Sequence, residues 1–191
     1  MKKISGWGIF GISLAGILLI CVMWGIGTYN GIVGLKEDVD NQSSNISTQL
    51  QRRSDLIPNL VSTVKGYTSH ESEVLNEISE SRAKLAGAQS MSEKAEADSQ
   101  LSSAVSRLLV VVENYPNLKA DTQFTALTDE LSGTENRIAV ARKDYNASVK
   151  KYNQKIKVFP ANIISGICGF TSADYFEASQ GSTQVPSVSF S

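Results

Sequence analysis

Few residues in this chain are equipped for chemistry. Its one histidine, His70, is followed by Glu71 but has no second histidine four residues on, so the helical zinc pattern is missing. A single histidine also removes most of the usual catalytic and metal constellations, which need His paired with Ser, Cys or a further His. The carboxylates are scattered along helical patterns and offer no evident pair for acid–base work. No catalytic residue, metal or cofactor is expected. What remains is a polar group around Pro58, formed by Arg52, Arg53, Asp55 and Asn59, with Glu135, Asn136, Arg137, Arg142 and Asp144 at matching height on a later helix. One reading is a pocket between helices for a small ligand or a peptide. The plainer one, adopted here, is a few paired charges that fix register between long helices, as polar seam residues do in coiled coils. Tyr67, Tyr115, Tyr145 and Tyr152 are read as half-buried core residues with wet hydroxyls rather than as a binding platform.

The elements that would position these residues are legible from apolar spacing. From Leu118 to Pro160 the pattern Ala120, Phe124, Leu127, Leu131, Thr134, Ile138, Ala141, Tyr145, Val149, Tyr152, Ile156, Phe159 predicts one helix of about 40 residues, with a narrow stripe that neighbouring helices must cover. A second ladder runs from Tyr29 to Lys65 through Leu35, Val39, Gln42, Ile46, Leu50, Arg53, Ile57, Leu60 and Val64. Pro58 lies inside it, where it removes one backbone hydrogen bond and is expected to kink the helix rather than end it, given the unbroken pattern on both sides. A turn is expected near Gly66–Ser69, with Thr68 and Glu71 as a capping box for a helix over His70–Ala86. Gly87 closes that helix. Ser90 with Glu93 offers another capping box, opening a helix through Leu101, Val105, Leu108, Val111, Val112 and Tyr115 that Pro116 ends.

Two long and two short helices fit an all-α, antiparallel, up-down-up-down four-helix bundle over residues 29–160 with coiled-coil-like seams. Each long ladder carries one 4-4 step. With Leu35 level with Phe159, Ile46 faces Ser148 and the two irregularities fall at one height. The same register puts Arg53 opposite Ala141, within reach of Asp144 or Glu135.

Ahead of the bundle, residues 1–28 read as a transmembrane helix. Ile4–Ile26 carries no charge, long enough to cross the ~30 Å hydrocarbon layer, with Trp7 near one end and Trp24 and Tyr29 near the other. Gly25-Ile26-Gly27 resembles a signal cleavage triplet, but the apolar run exceeds a signal h-region of about 7–15 residues. Cys21 in a lipoprotein motif is disfavoured by bulky Ile20 before it. A disulfide to Cys168 is not expected, because Cys21 lies inside the apolar run. Lys2 and Lys3 precede the span, whereas Lys36 on the other flank stands among Glu37, Asp38 and Asp40. The positive-inside rule therefore puts the N-terminus in the cytoplasm and the bundle outside it.

Residues 161–177 hold the apolar run Ile163–Phe170, too short to span and readable as a bundle cap or an interfacial segment. Residues 178–191 read as a flexible tail in which Val185–Phe190 could dock weakly on a groove. The chain has 191 residues with 18 basic and 19 acidic side chains; setting aside Lys2 and Lys3 leaves 16 basic, so no basic face exists for nucleic acid.

The runs Gln49–Glu71, Glu113–Phe124, Thr134–Asn153, the Phe159-Pro160 pair and the PSVSF tail resemble the LemA family. The resemblance implies a bacterial protein with one N-terminal membrane helix and an antiparallel four-helix bundle, and it supplies no catalytic residues. Ser43 stands where the family usually has a tryptophan near the start of the first bundle helix. The resemblance also implies a short N-terminus outside the cell, opposite to the charge rule. The expected function is a single-pass, membrane-anchored scaffold or protein-interaction module of the cell envelope, whose partners are the lipid bilayer and other envelope proteins. A ligand- or peptide-sensing bundle signalling through a partner is the alternative. Oligomeric state stays open.

Overall fold

The computed structural model describes residues 6–68 and 71–177. Within them the chain forms helices α1 (Gly6–Lys65), α2 (Ser72–Gly87), α3 (Met91–Val112), α4 (Pro116–Lys119), α5 (Thr122–Lys157) and α6 (Ala161–Cys168), and no strand. The expected tail, including Val185–Phe190, lies outside the described residues, as do Lys2, Lys3, Ser69 and His70. The folded chain divides into two units. One comprises the chain up to Asp40 with residues 148–173, the other residues 41–147 with the chain from Asp174.

In the first unit α1 begins as an exposed apolar rod: Trp7, Phe10, Leu18, Met23 and Ile26 all face outward. This is the one helix among the described residues long and apolar enough to cross a membrane. No break marks residue 28, since α1 continues as a single 60-residue helix. Burial starts there, at Thr28, Ile32 and Val39, together with Val149, Tyr152, Ile156 and Ala161.

The second unit has a core of Ile46, Ile57, Leu60, Ile78, Leu101, Leu108, Phe124 and Ile138, drawn from α1, α2, α3 and α5. Helices α2 and α3 pack on each other. The Ser90–Glu93 capping box forms as expected: Ser90 Oγ accepts from the Glu93 N–H at 3.1 Å, and the Glu93 carboxylate accepts from the Ser90 N–H at 3.0 Å. These backbone donors hold the Glu93 carboxyl below its usual range. Ser43, at the tryptophan position, is half-buried and lies 3.6 Å from Met91 Sδ, so a flexible thioether fills space beside the small residue.

Three expectations need correction. The helix over Leu118–Pro160 is shorter, because the Asp121 carboxylate accepts the N–H groups of Gln123 at 2.8 Å and Phe124 at 2.9 Å and starts α5 at Thr122. Leu118 belongs to the separate turn α4, with Pro116 at its first position. At the other end α5 stops before the cis Phe159-Pro160 bond, and Ala120 and Phe159, expected on the seam, are both exposed. The Thr68–Glu71 capping box does not form: Thr68 Oγ1 donates back to the Val64 carbonyl at 3.2 Å, and Glu71 precedes α2 without a side-chain cap. Finally, the four tyrosine hydroxyls are not left to water, as described below.

Candidate functional site

Arg53 is a seam residue of α1 and is 4% exposed. A guanidinium withdrawn from water needs acceptors, and several come to it. Its Nη1 lies 2.7 Å from Asp98 Oδ1 and 2.9 Å from Ser102 Oγ on α3, and 2.7 Å from Glu135 Oε2 on α5. Ser102 Oγ in turn donates to the Asp98 carbonyl at 3.0 Å, which fixes the hydroxyl that receives Arg53. The Arg53 Nε is buried and has no hydrogen-bond partner among the described residues.

Asp98 is buried too, and desolvation pushes its carboxyl above the usual range, against the pull of Arg53; the Glu135 charge adds to the rise and Arg142 opposes it. Beside this cluster lies an open groove of about 370 Å³, lined by Arg53, Ser102, Leu109, Leu131, Glu135 and Asn136 among others.

The nine residues expected to gather do not form one site. Buried Arg53 and exposed Glu135 meet at the edge of the cluster, with Asn136 at the groove and Arg142 acting on Asp98 through its charge. Arg52 pairs with Glu130 on the surface, which also lies 3.6 Å from Arg137. Asp55 accepts from Gln51 one turn earlier at 2.7 Å. Asn59 and Asp144 are exposed, and the partner of Arg53 on α5 is Glu135. Asp98, Ser102 and Glu130 went unread. Asp98 had a signal, since stepping back three residues from Leu101 extends the α3 seam onto it.

Pro58 creates a second polar requirement. Having no N–H, it leaves the Ser54 carbonyl without its donor four residues on. Arg82 of α2 supplies one, its Nε donating to that carbonyl at 2.9 Å. The helix thus continues through proline while α2 is tied to the position of the missing bond.

The tyrosine hydroxyls all find protein acceptors. Tyr67 donates to Asp121 at 2.7 Å and Tyr115 to Glu71 at 3.0 Å, and in each pair the carboxylate raises the phenol above its ordinary range. Tyr145 donates to the Asp174 carbonyl at 2.7 Å, and Asn146 grips Phe176 in both directions, at 2.8 Å from its N–H and 3.2 Å from its carbonyl. In the other unit Tyr152 donates to the Thr171 carbonyl at 2.8 Å, and Asn153 holds Ala173 at 2.9 Å through both its N–H and its carbonyl. Two Tyr-Asn pairs therefore clamp the chain that follows α6.

An all-helical chain whose long first helix is apolar and exposed at its start and carries further on an arginine paired to carboxylates of two later helices defines a class of helical proteins with a candidate membrane span. Residues 42–190 match the LemA family. Among curated proteins the chain is similar to Magnetosome protein MamQ 1 of Paramagnetospirillum magneticum, 30% identical over 178 residues and covering 78% of this chain and 64% of that protein. Protein LemA of Metamycoplasma hominis is 27% identical over 156 residues, covering 81% of this chain and 71% of its own length. The chain belongs to the LemA family. It spans 64% of the length of the first curated relatives it matches.

Proposed function

We propose that this protein is a single-pass membrane protein of the cell envelope whose helical bundle, outside the cytoplasm, works as a scaffold or protein-interaction module without catalysis. One observation carries the reading: the apolar stretch of α1 is exposed on its whole circumference from Phe10 to Met23, and only lipid would take it out of water. The LemA relationship supports it.

Polar links within the second unit favour an up-down-up-down bundle. Ser43 meets Met91 and Arg53 meets Asp98, as parallel α1 and α3 require. Glu77 pairs with Arg107 and Lys84 with Gln100, as antiparallel α2 and α3 require. Arg52 pairing with Glu130 while Tyr67 reaches Asp121 fits α5 running against α1.

The test is membrane fractionation of the full-length protein with an alkaline carbonate wash, followed by impermeant maleimide on intact spheroplasts of a chain carrying Cys21→Ala, Cys168→Ala and Ser103→Cys. Retention in the membrane and labelling at the exposed position 103 are expected. Release by carbonate, or labelling only after detergent, overturns the anchor or the orientation respectively. The groove beside Arg53 and its unpartnered Nε favour a second reading, a ligand- or peptide-sensing bundle. Co-purification in mild detergent separates the two, since a scaffold brings down envelope proteins whether or not Arg53 is intact.

A further inference from the structure

In the first unit α6 presents an apolar face that nothing in the unit covers. Ile167 is 76% exposed and Ile163 50%, and Phe159 just ahead of the helix 78%, while the opposite side of the helix is fixed: Ala161 and Ser165 are buried, and Ser165 Oγ lies 2.8 Å from the Ile156 carbonyl. The helix ends at Gly169, whose φ of 74° suits glycine, with the Phe170 N–H returning to the Ser165 carbonyl at 2.9 Å. The exposed face is thus held in place by its buried one.

Its position on α1 identifies what covers it. Ile164 Cδ1 lies 3.7 Å from where a methyl group on Gly25 would stand, and the ring of Phe170 packs at 5.7 Å from that of Tyr29. Gly25 and Tyr29 mark the end of the apolar stretch of α1, where Trp24 and Tyr29 supply interfacial aromatics. The chain leading into α6 is basic: Lys150, Lys151, Lys155 and Lys157 precede it, and no acidic residue occurs between Asp144 and Asp174. An apolar helical face beside basic side chains, at the level where a membrane-spanning helix leaves the hydrocarbon, is the composition of an interfacial helix.

We propose that α6 with Phe159 lies in the lipid surface as a second membrane contact, with Phe159, Ile163 and Ile167 among the acyl chains and the lysines at the end of α5 among anionic headgroups. This rests on the anchor reading above, and the experiment separates the two.

The full-length protein is reconstituted in vesicles of phosphatidylcholine with one quarter phosphatidylglycerol. An environment-sensitive fluorophore is placed on Cys168 in the Cys21→Ser chain, or on Cys21 in the Cys168→Ser chain. Lipids brominated high on the acyl chain should quench the Cys168 probe, and aqueous iodide should quench it several-fold less than in unfolding denaturant. Ile163→Asp with Ile167→Asp should remove lipid quenching at Cys168 while leaving that at Cys21 and the helical circular dichroism intact. Lys155→Gln with Lys157→Gln should weaken it in the anionic vesicles and not in pure phosphatidylcholine. A Cys21 probe quenched by lipid beside a Cys168 probe open to iodide refutes the surface contact alone. A Cys21 probe out of reach of brominated lipid refutes the anchor and this inference together. A Cys168 probe shielded from both quenchers means that protein, such as a second copy, covers the face, and refutes the inference. These measurements on the two single-cysteine chains decide the matter even if the aspartate variant fails to fold.

Discussion

The two units withdraw different kinds of polar group from water. In the first, the buried polar residues are Thr28, Asn153 and Ser165, all neutral, and the latter two bond main-chain groups. In the second, Arg53 and Asp98 are buried as well, and the guanidinium serves two carboxylates on different helices. Neutral amides and hydroxyls lose little on leaving water when each finds a partner, so they can lay an extended segment along a helix. Buried charges lose far more, and their attraction offsets that loss only in one arrangement, which makes them better at fixing register than at adding stability.

The largest effect that would break this comparison belongs to Arg53. Arg53→Met should strand the Asp98 carboxylate and destabilise the protein by about 3–5 kcal/mol at neutral pH, read from denaturant unfolding in detergent. Arg53→Met with Asp98→Asn should recover most of it, because no buried charge is then left alone. A loss below about 1 kcal/mol for the single change would mean a wet cluster, and the contrast between the units would vanish.

Next comes the neutral clamp. Asn153→Ala removes both hydrogen bonds to Ala173 and should reduce stability by about 1–3 kcal/mol, with much faster amide exchange at Ala173. Asn153→Asp keeps the acceptor for the Ala173 N–H and loses the donor, so exchange there should rise less. Unchanged exchange in the alanine variant would show that the segment is held by apolar contact instead.

A smaller effect is expected at the proline in α1. Arg82→Met should leave the Ser54 carbonyl unpaired and lower stability by about 1 kcal/mol, since Arg82 is only half-buried. Pro58→Ala restores an N–H four residues on, so in that background the same change should have almost no effect. Equal losses in both backgrounds would show that Arg82 stabilises through packing alone.

How far the sequence could be read follows the same division. Period and caps are local, so the apolar rod of α1, its passage through Pro58 and the Ser90–Glu93 box were all visible in it. Arg53 was visible because a cation on an apolar seam must be answered, and Glu135 was one of two carboxylates named for it. Asp98 was missed because the α3 ladder was begun at Leu101, its first apolar member, rather than at the polar residue three positions before. The Tyr-Asn clamps have no periodic signature on the segment they hold. Only the repeat of Tyr145-Asn146 at Tyr152-Asn153 hinted at them: seven helical residues rise about 10.5 Å, close to three residues of extended chain at about 10 Å. The stop before Thr122 was missed because Asp121 was not weighed as a cap against the apolar spacing around it.

The smallest effect concerns the sign of a pH dependence. Burial raises the Asp98 carboxyl above its unfolded value, so the contribution of this group to stability is complete below the unfolded value and is lost as pH rises through the folded one. Glu93 and Asp121 behave oppositely: the Ser90 backbone N–H, chiefly, depresses the first and the Tyr67 hydroxyl the second, so their contributions hold at neutral pH and fade on acidification. These contributions run against that of Asp98, so Asp98 is read by difference. Asp98→Asn should be nearly neutral at pH 7, because Arg53 keeps Glu135 and a desolvated charge is removed. Wild type should gain on the variant as pH falls through the raised Asp98 range toward the ordinary carboxylate range. Unfolding midpoints measured at successive pH values for the two proteins check this. If the variant instead gained on wild type in acid, the Arg53 ion pair would outweigh desolvation at Asp98, and the buried charges of the second unit would add stability instead of only fixing register.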